Sequence, residues 1–120
     1  MGENEQTWTM QTKGGGPAVE GKVEVASNQA GNRDLKVEAK HLAPPDATFS
    51  GTSAYVVWLK PKEGPAQNVG ILKPDKDLNA QLETKTPFTA FEVLVTAEHS
   101  PTATEPSGRQ VMSARVQLAV

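Results

Sequence analysis

The chain has no cysteine, so disulfide bridges, thiolate metal sites and cysteine nucleophiles are excluded from the start. That absence fits a cytoplasmic protein and a disulfide-free exported one equally. No apolar run approaches the roughly 20 residues that a membrane helix needs. The opening MGENEQTW is too polar for the apolar core of a signal peptide, so an exported protein of this kind would have its signal outside this chain. Basic residues are not in excess either: 12 Lys+Arg stand against 14 Asp+Glu, for a net charge of −2. Nothing there can neutralise a phosphate backbone, and nucleic acid is not an expected partner. Aromatic residues make up only 5% of 120 residues and hydrophobic ones 37%, so the core must be lean and built on Val, Leu and Ala. The length suits one domain that needs no disulfide or metal staple.

Turn formers, by contrast, are plentiful, with ten Gly and nine Pro. They divide the chain into short segments. Residues 1–17 contain one brief alternation, Trp8 and Met10, followed by Gly14 to Pro17, which resist any regular element. A flexible tail and linker is expected there, the alternative being that Trp8 and Met10 pin it to the domain as an edge strand. From residue 18 to 120 a period of two takes over. Val19, Val23 and Val25 alternate with polar residues, as do Leu35, Val37 and Ala39 beyond the turn material SNQAGN, which predicts a hairpin. HLAPPDATFSGTS, with Pro44-Pro45 and Gly51, excludes helix and central strand and reads as a long connection between sheets. YVVWL, QNVGILK and LNAQLETK follow as three strands of a meander, the last with Leu78, Ala80 and Leu82 on one face. FTAFEVLVTAE and QVMSARVQLAV complete the set. Seven strands without βα alternation predict an all-β fold, an antiparallel immunoglobulin-like β-sandwich.

Tyr55, Val57 and Leu59 point one way along YVVWL, and Val56 and Trp58 the other, so both faces of this strand are apolar. It should be a central strand covered on both sides. Trp58 is the expected centrepiece of the core between the sheets, with Tyr55 and Phe91 beside it.

Marks of chemistry are few. His41 and His99 match no metal-ligand spacing, even with Glu98, Asp46 and Glu105 nearby. Met10 and Met112 form no close Met/His cluster that would suit a copper carrier. The serines lie outside any G-x-S-x-G context, and the acids are spread among lysines as on a solvated surface. No cofactor and no catalytic residues are expected. The segment HSPTATEPSG is longer than a hairpin requires and carries Thr102, Thr104 and Ser107 as free hydrogen-bonding side chains. It reads either as an interaction loop or as the crossing from one sheet to the other. The Pro-bounded QNVGILK is a second candidate, as a sheet rim.

The strand YVVWL, the turn with NVGIL behind it, the strand FEVLVTAE and the PSG turn before the final strand resemble the C-terminal extracytoplasmic domain of bacterial anti-sigma-K factors. The resemblance covers residues 55–116. It implies a sandwich outside the membrane, in the periplasm or cell envelope; the parts that cross the membrane and hold the sigma factor have no counterpart in these residues. GNRDLKVEAKHLAPP, QNVGILK and VTAEHSPTATEPSG are also similar to small exported proteins and lipoproteins of soil bacteria that carry a standalone sandwich. Together these imply a non-enzymatic module for protein interaction or sensing. Its expected partner is a protein of the cell envelope, with the membrane reached only through a tether outside this chain. A structural domain of an envelope lipoprotein and an enzyme of unknown reaction are the alternatives.

Overall fold

The computed structural model describes residues 5–13, 19–27 and 33–118. They form β1 (Glu5–Thr9), β2 (Gln11–Thr12), β3 (Glu20–Ser27), β4 (Arg33–Lys40), a one-turn helix α1 (Pro45–Thr48), β5 (Ala54–Pro61), β6 (Gln67–Leu72), β7 (Ala80–Thr86), β8 (Ala90–Glu98) and β9 (Arg109–Gln117). Two antiparallel sheets result, a four-stranded one in the order β1-β3-β4-β7 and a five-stranded one in the order β2-β9-β8-β5-β6. The fold is therefore an all-β sandwich, with the seven strands read from alternation plus two more at the N-terminus.

In the four-stranded sheet the register sets Val23 opposite Val37 and Val25 opposite Leu35, so the centre of one face is apolar. The five-stranded sheet answers with Tyr55, Val57, Leu59, Leu72, Phe91, Val93 and Val95, and the two inner faces share one core. Tyr55 and Phe91 lie in it as expected, the Tyr55 hydroxyl donating to the Ala43 carbonyl. Gly21 on β3 gives up its side-chain volume to the methionines: a Cβ there would stand 2.5 Å from Met112 Sδ and 3.2 Å from Met10 Sδ.

Four expectations are corrected. The tail of residues 1–17 is structured where it is described: β1 pairs with β3, β2 pairs with β9, and Met10 is buried in the core. Trp8, half-buried against that core, and Met10 supply the apolar contact that holds an otherwise polar segment on two sheet edges. The expected linker at 14–17 and the turn at 28–32 lie outside the described residues. The meander is broken after β6, because β7 leaves for the other sheet and pairs with β4. Leu78, with φ of 65°, belongs to the turn before β7 rather than to the strand, where Asp75 Oδ1 accepts from the amides of Asp77 and Asn79. Finally, the connection from β4 to β5 does pass between sheets, but it contains α1; Pro45 starts that helix without penalty, because the first turn has no partner for its missing N–H anyway.

Candidate interaction surface

Trp58 is fully buried, though not between the sheets. With Ala54 and Val56 it forms a second, smaller apolar cluster on the outer face of the five-stranded sheet, covered by Ala66, Leu94 and Ala103. This corrects the expectation that Trp58 is the centrepiece of the main core. The strand is apolar on both sides, as its sequence implies, because the loop 99–108 folds back over the sheet and supplies the second cover. That loop is not a crossing between sheets: it joins β8 and β9, which pair with each other.

A buried indole N–H needs an acceptor. Trp58 Nε1 donates to Thr96 Oγ1 at 2.8 Å, and Thr96 in turn donates to Glu98 Oε2 at 2.6 Å. Glu98 is only 3% exposed, and no salt bridge pairs it among the described residues. Its carboxylate is held by neutral donors, accepting also from the Gly108 amide at 3.0 Å on Oε2 and from Ser107 Oγ at 3.1 Å on Oε1. Gly108 can approach only because it lacks a Cβ, which would lie 1.9 Å from the Ala97 carbonyl oxygen. The base of the loop is thus clamped to the end of β8. Its tip is fixed by Asn68 on β6, whose Nδ2 donates at 3.0 Å to the carbonyls of Pro101 and Ala103.

The three loop residues singled out from the sequence separate accordingly. Ser107 is occupied by Glu98 and serves the clamp. Thr102 and Thr104 are exposed, and Thr102 Oγ1 lies 2.8 Å from Ser100 Oγ, which stiffens the tip. Thr96 and Asn68 escape sequence reasoning, and Glu98, weighed there only as a metal-ligand neighbour of His99, is the centre of the clamp instead. The one available signal is that a tryptophan on an outer face requires a polar partner, and alternation puts Thr96 and Glu98 on that same face of β8.

Beside the clamp lies an open cleft of about 560 Å³, lined among others by Phe49, Thr52, His99 and Arg109. The Arg109 guanidinium carbon sits 5.7 Å from the Phe49 ring centroid. His99 Nδ1 lies 2.6 Å from the Gly51 carbonyl oxygen, and Ser107 faces Glu98 rather than His99, so the two do not form a nucleophile–base pair. Among the described residues no group of three or more His, Asp or Glu side chains is placed to hold a metal ion, and no helix is long and apolar enough to cross a membrane.

The edge strand β6 borders the loop tip. Among the described edge strands longer than two residues it alone carries no charge, whereas β1 has Glu5 and β7 has Glu83 and Lys85. Ile71 on β6 is 37% exposed. The register slips between Val57 and Trp58, leaving Val69 as an extra residue on β6, and the Asn68 Oδ1 accepts from the Gly70 amide. Gly70, with φ of 140°, packs against Leu82 of β7, closing that side of the sandwich.

The outer face of the four-stranded sheet is of another kind. Lys22 Nζ lies 3.3 Å from Glu38 and 3.5 Å from Glu24, and Lys36 Nζ lies 3.2 Å from Glu38. Partial burial works against ionisation of Glu38, but hydrogen bonds from Lys36 and Lys22 overcome it and hold this carboxyl below its ordinary range. The same hydrogen bonds to Glu38 hold both lysines above theirs.

No protein-family model matches the chain, and no curated protein matches it. Among solved structures it is similar to the crystal structure of the clock protein EA4, with a TM-score of 0.63 and 7% identity over 97% of this chain and 95% of that one. At so low an identity the likeness shows the fold alone, a β-rich sandwich that this chain shares along nearly its whole length.

Proposed function

We propose that this chain is a non-enzymatic interaction or sensing module that works outside the cytoplasm, similar in kind to the C-terminal domain of anti-sigma-K factors. It needs no cofactor, and its partner is a protein of the cell envelope. The location rests on the resemblance over residues 55–116. One observation carries the interaction itself: Asn68 ties the tip of the 99–108 loop to the uncharged edge strand β6, so Thr102, Thr104 and Ile71 belong to one exposed, pre-ordered surface. A partner meeting such a surface spends little entropy on ordering it.

The bulge at Val69 and the Asn68 cap on Gly70 blunt β6 against continuous strand addition. Contact through side chains, with Ile71 as the apolar anchor, is therefore the mode favoured over an added strand. Three variants test this by capture from an envelope extract: Ile71→Lys and Thr104→Glu on the surface, and Gln81→Lys on β7 as control. A protein retained by the wild type and the control but lost from both surface variants is the expected result. The same retained set in all four samples rejects the surface, and turnover in a broad hydrolase screen rejects the non-enzymatic reading.

A further inference from the structure

We propose that Glu98 is a proton-sensitive latch, which as a carboxylate holds the 99–108 loop down over Trp58 and, once neutralised, releases it. The inference stands on the geometry of the clamp and does not depend on the interaction reading. Three donors converge on this one buried group: the Thr96 hydroxyl, the Ser107 hydroxyl and the Gly108 amide. The direction of the first is fixed, since the Trp58 N–H can only donate; Thr96 Oγ1 must accept there and pass its own proton toward Glu98. A carboxylate only accepts and can serve all three. A protonated carboxyl can keep Ser107 only if that hydroxyl turns to accept at Oε1, and it holds the Thr96 hydroxyl and the Gly108 amide on Oε2 without the negative charge that roughly doubles the strength of such bonds.

The consequence of release is set by how the loop is otherwise held. At its tip the two bonds from Asn68 are exposed to water and individually weak. Over Trp58 the loop's apolar contact is the small side chain of Ala103, beside Ala66 from the β5–β6 turn and Leu94 from β8. Freed at its base, the loop has little apolar contact to keep it down, and the indole becomes accessible. Other titratable or charged groups around the cleft are His99, at the start of the loop, and Arg109, on β9. The segment before β5 brings only the uncharged Phe49, Ser50 and Thr52 to it.

The test uses the full chain with Trp8→Phe, so that Trp58 is the sole indole. Amide exchange over residues 100–107 is followed alongside Trp58 quenching by acrylamide, from neutral to acid pH, in this background and with Glu98→Gln, Ser107→Ala or His99→Gln added. At neutral pH, Glu98→Gln is expected to speed loop exchange about tenfold or more, as losing hydrogen bonds to a charged group would, while β8 and β5 stay protected. The acid-induced rise in quenching should persist in His99→Gln and vanish in Glu98→Gln, whose indole is open throughout. Unchanged loop exchange in Glu98→Gln, or an acid transition that disappears with His99 and survives without Glu98, overturns the proposal. Should Glu98→Gln fail to fold, Ser107→Ala decides: selective loosening of the loop supports the latch, and loop exchange equal to that of the background protein overturns it.

Discussion

Cutting Trp58 to alanine removes a fully buried indole together with the donor that orders Thr96, and a loss of about 3 to 5 kcal/mol in unfolding free energy is expected. Trp58→Phe keeps most of the packing and forfeits the hydrogen bond, for an expected loss of about 1 kcal/mol beyond the small change in volume. Two glycines make a matched pair at the same scale. A Cβ at Gly21 would meet the thioether sulfurs of Met112 and Met10, side-chain atoms that can shift, so Gly21→Ala should cost about 1 to 3 kcal/mol. A Cβ at Gly108 would meet the Ala97 backbone, which cannot shift without breaking the β8–β9 pairing. Gly108→Ala is therefore expected to be the more damaging of the two, and urea denaturation of both variants gives the order directly.

At the scale of elements, the first strands bear on stability despite their polar sequence. Removing residues 1–13 strips β1 from β3 and β2 from β9 and uncovers the core where Met10 sits. A loss above about 2 kcal/mol is expected from Met10 alone, whereas a truly idle tail would leave the urea midpoint unchanged. The charged face of β3 and β4 sets a pH dependence. Glu38 is depressed in the folded state, so its contribution is complete above the ordinary carboxylate range and disappears as pH falls through its own lowered value. Lys22 and Lys36 are raised, so their contribution is complete below the ordinary lysine value of 10.5 and disappears as pH rises through their raised values. Glu38→Gln should thus flatten the acid limb of stability against pH, and added salt should shrink the effect, because these lysines are exposed.

For the molecule as a whole, period-two alternation locates β3 to β9 well, because strand formation leaves a local trace in every second residue. Pairing leaves no such trace, and β7 reads as the third strand of a meander although its partner, β4, lies far earlier in the chain. The site is half legible for the same reason. The length of the 99–108 loop and the two apolar faces of β5 both stand out, but that the one covers the other is a tertiary fact. A loop read as free leaves Trp58 between the sheets and Ser107 among the exposed donors. The arrangement that replaces this, a tryptophan on the outer face sealed by a clamped loop, is the claim on which the site depends. Its most direct test is acrylamide quenching of the Trp8→Phe protein with residues 100–107 replaced by a short Gly-rich turn. With the sheets retained by circular dichroism, Trp58 should show red-shifted emission and ready quenching. Emission that stays blue-shifted and shielded without the loop would put the indole between the sheets and contradict the account.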